Sequence, residues 1–284
     1  MLYLKRNHIV LYVLVALMLA LAGCGAASKP AGTGGSPSPS PVASPSSGTS
    51  SETVELTVSA AASLTDALKE IQQAYESANA QMKLAFNFGA SGALQQQIEQ
   101  GAPADLFLSA AAKNMKALVD KQLIDSNDQR DLLQGELVVV VPADGKSSVT
   151  AMEDLMKTDV KNVAIGIPES VPAGNYAKEA LVNAKLWEKL QAKLVQGKDV
   201  RQVLQYVETG NADAGFVYKT DAMSSSNAKI ALTVDPAVYP PILYPVGIVK
   251  ATKHREAAER FYDYLQSKEA LDVFAKYGFT VAKP

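Results

Sequence analysis

The sequence predicts an α/β fold built as two lobes with a cleft between them, and three observations predict it. Short β-branched runs alternate with amphipathic stretches from residue 53 onward. A valine-rich segment and a later apolar segment are placed to carry the chain out of one sheet and back again. Several helix starts are flanked by unusually small residues, as a ligand cleft between lobes requires.

The alternation is read in order along the chain. Strands are expected at Val54 to Ser59, Met82 to Phe88, Asp105 to Ser109, Glu136 to Val141, Val163 to Ile167, Lys193 to Gln196, Ala214 to Tyr218, Ile230 to Val234 and Tyr244 to Lys250. Between them, Leu64, Ala67, Leu68, Ile71 and Tyr75 repeat at helical spacing, and Val200, Val203, Leu204 and Val207 do the same. Further helices are expected near Leu94 to Gln100, Lys113 to Lys121, Tyr176 to Leu190 and His254 to Tyr277. Helices between successive strands imply mostly parallel sheets.

Glu136 to Val141 is nearly uninterrupted valine and ends at Pro142, as a buried strand leaving one sheet does. Ile242 to Lys250 supplies the return. These crossings divide the folded part into one lobe of residues 53–137 and 243–284 and a second of residues 138–242. Ligands of open α/β sheets bind beyond the carboxyl ends of strands, where loops lead into helices.

The chain opens with Lys5 and Arg6, an apolar run from Ile9 to Ala22, and Leu21-Ala22-Gly23-Cys24. A charged start, apolar middle and small-residue end make a secretory signal, too short for a membrane span of about 20 apolar residues. Leu-Ala-Gly-Cys resembles a bacterial lipobox, which implies cleavage before Cys24 and a lipid anchor on its sulfur, holding the protein to the outer face of the cell membrane. Cys24 is the only cysteine, so a disulfide within the chain is excluded. From Gly25 to about Glu52 the chain is mostly Gly, Ser, Pro, Ala and Thr with hardly a charge, so residues 24–52 read as a lipid-anchored flexible tether reaching roughly 30 Å. Without Lys5 and Arg6 the formal charge moves from -2 to -4, and no basic cluster invites nucleic acid.

The helix starts carry the chemistry. Ala60-Ala61-Ala62 precedes Ser63, and Ser91 lies within Gly89-Ala90-Ser91-Gly92-Ala93. Val171-Pro172-Ala173-Gly174 opens a third helix, and Lys198-Asp199-Val200-Arg201 a fourth. A helix N-terminus presents unpaired N–H groups and partial positive charge, which suits an anion, and small neighbours let the anion reach the backbone. Each start alone has a plainer explanation. Ser63 and Asp66 have the spacing of a capping pair, Pro172 suits a first helical turn, and Gly89, Gly92 and Gly174 suit turns. Four such starts together favour a ligand.

Five stretches then carry a specific resemblance: Ala60 to Thr65, Gly101-Ala102-Pro103-Ala104-Asp105-Leu106-Phe107, Val171 to Leu181, Asp199-Val200-Arg201 and Tyr277-Gly278-Phe279. In this order they resemble the periplasmic molybdate-binding proteins (ModA) of ABC transporters, here in lipoprotein form. The resemblance implies a type II periplasmic binding-protein fold closing on molybdate or tungstate through hydrogen bonds to the oxygens, with no direct metal ligand and no cofactor. It assigns oxyanion binding to Ser63 and Ser91 through hydroxyl and amide, to Ala173 and Val200 through amides, and to the Tyr218 hydroxyl. It implies a monomer that delivers its ligand to an ABC permease and its ATPase subunit. Roughly six or seven charge-assisted donors, at about 1.5 to 3 kcal/mol each, suffice for micromolar binding of a dianion without a buried cation. Arg201 is therefore read as a surface or interlobe salt bridge, and Asp105 as structural.

Two alternatives are weaker. With His8 in the signal, a Ser-His-Asp triad has only His254 to draw on, and no Gly-x-Ser-x-Gly, His-Glu-x-x-His or P-loop motif is present. A binding protein for another tetrahedral oxyanion is the closer rival, sulfate having the same charge and shape at smaller radius.

Overall fold

The computed structural model describes residues 53–144 and 147–282. The signal, the tether and Cys24 lie outside the described residues.

In chain order the elements are β1 (Val54–Ala61), α1 (Thr65–Ala78), β2 (Met82–Gly89), α2 (Ser91–Glu99), β3 (Leu106–Leu108), α3 (Ala112–Asp120), β4 (Ile124–Gly135) and β5 (Leu137–Pro142). They continue with β6 (Val163–Gly166), α4 (Pro172–Asn183), α5 (Trp187–Leu190), β7 (Leu194–Gly197), α6 (Val200–Glu208), β8 (Ala214–Tyr218), α7 (Lys219–Met223) and β9 (Ala228–Thr233). The last four are β10 (Ile242–Val249), α8 (Arg255–Tyr264), α9 (Lys268–Lys276) and β11 (Thr280–Val281).

These strands make two sheets. One has six strands in the order β11-β4-β10-β3-β1-β2, the other five in the order β7-β6-β8-β5-β9. The first draws on both ends of the folded part and the second on its middle, so the chain crosses twice. The outward crossing is nearly continuous, since only Glu136 separates β4 from β5. Leu137 already pairs with Tyr218 in the five-stranded sheet, and Ile242 pairs with Gly135 in the six-stranded one.

The sheets are mixed, which corrects the expectation of mostly parallel pairing. β1 runs parallel to β2 and β3, and β6 parallel to β7 and β8, where helices connect the strands. The crossing strands enter reversed: β10 is antiparallel to β3 and β4, and β5 to β8 and β9. A strand that arrives from the other lobe has no crossover helix to turn it round.

Burial explains the elements. In β5, Leu137 to Val141 are buried on both faces between β8 and β9, as a valine run implies, and each fully buried valine contributes roughly 1.5 to 3 kcal/mol. α1 buries Ala67, Leu68, Ile71 and Tyr75 as one stripe, and α6 buries Val200, Val203, Leu204 and Val207. Two expected helices are divided. The first breaks at Lys185, whose φ of 57° no helix accommodates, and the second at Ser267, whose hydroxyl caps α9 by accepting from the Ala270 N–H.

Candidate functional site

β1 and β2 lead almost directly into helix starts, β6 and β7 reach the starts of α4 and α6 through short loops, and β8 ends at Tyr218. Those ends converge on one chamber lined by Ala61, Ala62, Ser63, Gly89, Ala90, Ser91, Ala110, Val171, Pro172, Ala173, Val200 and Tyr218. All five residues singled out by sequence, Ser63, Ser91, Ala173, Val200 and Tyr218, are therefore brought together. Ser63, Ser91 and Ala110 come from the segments of the six-stranded sheet, and Ala173, Val200 and Tyr218 from those of the five-stranded sheet.

The space enclosed is about 10 Å³, the scale of one water-sized sphere. An amino acid or a sugar does not fit. No charged side chain lines the chamber. A larger surface hollow of about 610 Å³ beside Pro142, Asp144 and Asp213 is lined in part by acids and lies at the opposite end of β5 and β8 from Tyr218.

Each donor is placed by its local structure. Ser63 lies in a short 3₁₀ turn, Ala62–Leu64, that leads into α1. It makes no side-chain cap, so the capping reading is corrected: its Oγ lies 3.2 Å from the Tyr244 hydroxyl, and Asp66 turns instead to Arg201. Ser91 is the first residue of α2 and is fully buried; its Oγ accepts the Ala110 N–H at 2.9 Å, which leaves its own proton available. Ala173 is the second residue of α4 and Val200 the first of α6, so their amides are among those that a helix leaves without an internal carbonyl. Asp199 caps α6 by accepting the Gln202 N–H at 2.8 Å. Gly174 presses α4 onto β6 so closely that an added Cβ would lie 2.0 Å from the Gly166 carbonyl oxygen. That contact fixes where the Ala173 amide points from.

Tyr218 closes the set from the end of β8. Its hydroxyl is 3.5 Å from the Ala110 carbonyl oxygen across the cleft, the outer limit of a hydrogen bond, so the proton is free for a nearer acceptor. Burial pushes this phenol well above the usual tyrosine range, and Tyr244 and Tyr176 add to the rise. It stays a donor at any physiological pH.

The alanines divide by role. Ala61, Ala62, Ala90, Ala110 and Ala173 floor the chamber, whereas Ala60 sits in the core beside Leu108. Arg201 is the interlobe salt bridge that sequence suggested: its Nη2 donates to Asp66 at 2.6 Å, its Nη1 donates to the Ser224 hydroxyl, and its Nε lies 3.0 Å from Asp221. Asp105 is structural, accepting from the Thr57 amide and from Thr252. Among the described residues no group of three or more His, Cys, Asp or Glu side chains is placed to hold a metal ion directly.

Sequence reasoning missed Tyr244, Ala110 and Asp221. Tyr244 lies inside an expected strand with no motif around it. Its only signal is that a tyrosine in an apolar strand needs a partner for its hydroxyl.

Residues 56–280 match the family of bacterial extracellular solute-binding proteins. YvgL of Bacillus subtilis, named as a substrate-binding lipoprotein of an ABC transporter, is 54% identical over 80% of this chain and 86% of its own length. The molybdate-binding protein ModA of Haemophilus influenzae is 39% identical over 80% of this chain and 91% of its own. Among solved structures, the substrate-binding domain assigned to a molybdenum ABC transporter of Clostridium difficile shares 45% identity at a TM-score of 0.63, covering 81% of this chain and 99% of that one. The sulfate-binding protein SubI of Mycobacterium tuberculosis, at 17% identity and a TM-score of 0.69 over 81% of this chain and 88% of its own, shares the fold. This chain accordingly belongs to the bacterial extracellular solute-binding proteins, with ModA proteins among its relatives, and is the substrate-binding component of an ABC transporter, not an enzyme.

Proposed function

We propose that this protein captures molybdate, and tungstate with it, outside the cell and delivers the oxyanion to a membrane permease driven by a cytoplasmic ATPase. The observation that carries the reading is the convergence of Ser63, Ser91, Ala173, Val200 and Tyr218 on a single small chamber with no charged side chain in its lining. Hydroxyls and helix-start amides are donors, and a fully deprotonated tetrahedral dianion is an acceptor at every oxygen. A protonated phosphate, which must also donate, finds no carboxylate to accept its proton in this lining. The names of the relatives at 39% and 45% identity support molybdate over sulfate.

The donors come from both sheets, so binding and closure are one event: the ligand stabilises the conformation in which the two sets face each other. The lobes are residues 53–137 with 243–284 and residues 138–242, and they move about the crossings near Glu136 and before Ile242. Cys24 carries the lipid that holds the monomer at the outer face of the membrane, on the tether of residues 24–52.

Titration calorimetry with molybdate, tungstate, sulfate and phosphate tests the reading. Molybdate and tungstate bind at micromolar concentration or below, sulfate much more weakly, and phosphate weakest. Sulfate binding as tightly as molybdate, or no heat with any oxyanion, overturns it. Separately, Cys24→Ser moves the protein from the membrane fraction to the medium or periplasm, and retention in the membrane refutes the anchor.

A further inference from the structure

A dianion accepts hydrogen bonds and donates none, so each hydroxyl that binds it must turn its single proton toward it. That constraint sets the direction of the bonds behind the hydroxyls. Ser91 is already arranged, because its Oγ accepts from the Ala110 N–H and keeps its proton for the chamber. Ser63 is not, since either oxygen of the Ser63–Tyr244 contact is able to donate. Once Ser63 gives its proton to an anion, the contact survives only if Tyr244 is the donor.

We infer that Tyr244 is a positioning residue for oxyanion binding: its O–H donates to Ser63 Oγ and so turns the serine proton into the chamber. The inference rests on the reading of the chamber as an oxyanion site. A hydroxyl that accepts a hydrogen bond is also a stronger donor, so Tyr244 strengthens the Ser63 contact as well as directing it.

The surroundings hold the tyrosine to this task. Its ring stands edge-on to Phe279, with centroids 5.1 Å apart, and to Tyr218, 5.7 Å apart. Gly135 makes room for it: a Cβ there would lie 3.0 Å from the ring edge and 3.6 Å from the hydroxyl oxygen. Burial, aided by the nearby Asp221 carboxylate, raises the Tyr244 phenol well above the ordinary range, so the proton to be donated is always present. Through its ring and hydroxyl, Tyr244 touches one group from each side of the cleft, Ser63 and Tyr218.

The test is a double-mutant cycle read by calorimetry with sodium molybdate on the wild type, Tyr244→Phe, Ser63→Ala and the double variant, with the melting temperature of each ligand-free protein. Tyr244→Phe keeps the ring contacts and should weaken binding about three- to tenfold, the scale of one hydrogen bond. In the Ser63→Ala background the same change should alter affinity by less than about twofold. Equal losses in both backgrounds, or no loss from Tyr244→Phe alone, overturn the inference while leaving the oxyanion reading intact. A wild type that binds no oxyanion overturns both.

Discussion

The chamber and its rim hold the lobes together by opposite means. The chamber is lined by amides, hydroxyls and methyl groups, without a formal charge. The rim carries the charges and bonds them across the cleft: Arg201 of α6 pairs with Asp66 of α1, and Lys113 of α3 donates to the Asn175 amide oxygen of α4. The Gly92 amide adds a direct backbone bond to the Ser170 carbonyl at 3.0 Å. A buried cation would carry a desolvation cost and attract any anion, whereas oriented neutral donors reward shape and full deprotonation. On the proposed reading, recognition falls to the neutral interior and alignment of the lobes to a charged edge where ions remain partly hydrated.

The most severe way to break this division is to prop the rim open. At Gly92 an added Cβ would lie 2.6 Å from the Ser170 carbonyl oxygen and 2.9 Å from its Cα, both backbone atoms that cannot swing aside. Gly92→Ala should therefore hold the lobes apart, and molybdate affinity should fall by about 100-fold or more, since ~3 kcal/mol of closure is lost. The ligand-free melting temperature should stay level or rise slightly, because alanine suits a helix interior better than glycine. Small-angle scattering that still contracts on adding molybdate would show that closure does not run through this contact.

Asp221 tests whether a charge placed between the two regions behaves as interior or edge. It is fully buried, its Oδ2 accepts the Tyr218 N–H, and its Oδ1 faces Arg201 Nε without the alignment of a hydrogen bond. Burial pushes its carboxyl up from 3.8 to about 6 although Arg201 opposes the rise. The folded state thus holds this proton more tightly than the unfolded state does. Its contribution to stability is present below about pH 4 and is lost as pH climbs through about 6, about 3 kcal/mol in all. Glu70, Glu99 and Asp128, lowered by hydrogen bonds to Lys276, Lys121 and Arg255, act in the opposite sense, so the wild type alone hides the effect. Between pH 4 and 7, Asp221→Asn should gain about 3 kcal/mol on the wild type in urea unfolding; a constant difference would mean that Arg201 compensates the carboxylate fully. Inside the chamber, Ser63→Ala should weaken molybdate by one to two orders of magnitude, about 1 to 3 kcal/mol for a lost donor to a charged acceptor. Unchanged affinity there would make the serine a matter of folding alone.

What the sequence disclosed follows the same division. Ser63, Ser91, Ala173 and Val200 were legible because each sits at a helix start, the first three among small residues, a local pattern that a linear reading detects; Tyr218 came only through the resemblance. The groups behind them were not. Tyr244 reaches Ser63 from 181 positions along the chain, and Asp221 meets Arg201 only after α6 and α7 have packed together. β4 escaped notice for a related reason. Its Asp125-Ser126-Asn127-Asp128-Gln129-Arg130-Asp131 core is polar and largely exposed, and it is a strand because β10 and β11 flank it with free backbone groups. The mixed pairing was likewise invisible, since strand direction depends on which lobe the chain has come from.

The smallest effect belongs to the rim pair itself, and it separates the two regions most cleanly. Asp66 and Arg201 are about one-third exposed, so their ion pair is worth roughly 0.2 to 1 kcal/mol and is weakened by salt. Asp66→Asn should reduce molybdate affinity by at most about fivefold at low ionic strength. In 1 M salt, where charges are screened beyond about 3 Å, wild type and variant should converge. The loss caused by Ser63→Ala should persist in the same buffer, because a buried donor is shielded from added ions. A loss from Asp66→Asn that survives high salt would place the aspartate in the recognition machinery, through the 3₁₀ turn that joins Ser63 to the first turn of α1, and would end the separation of edge from interior.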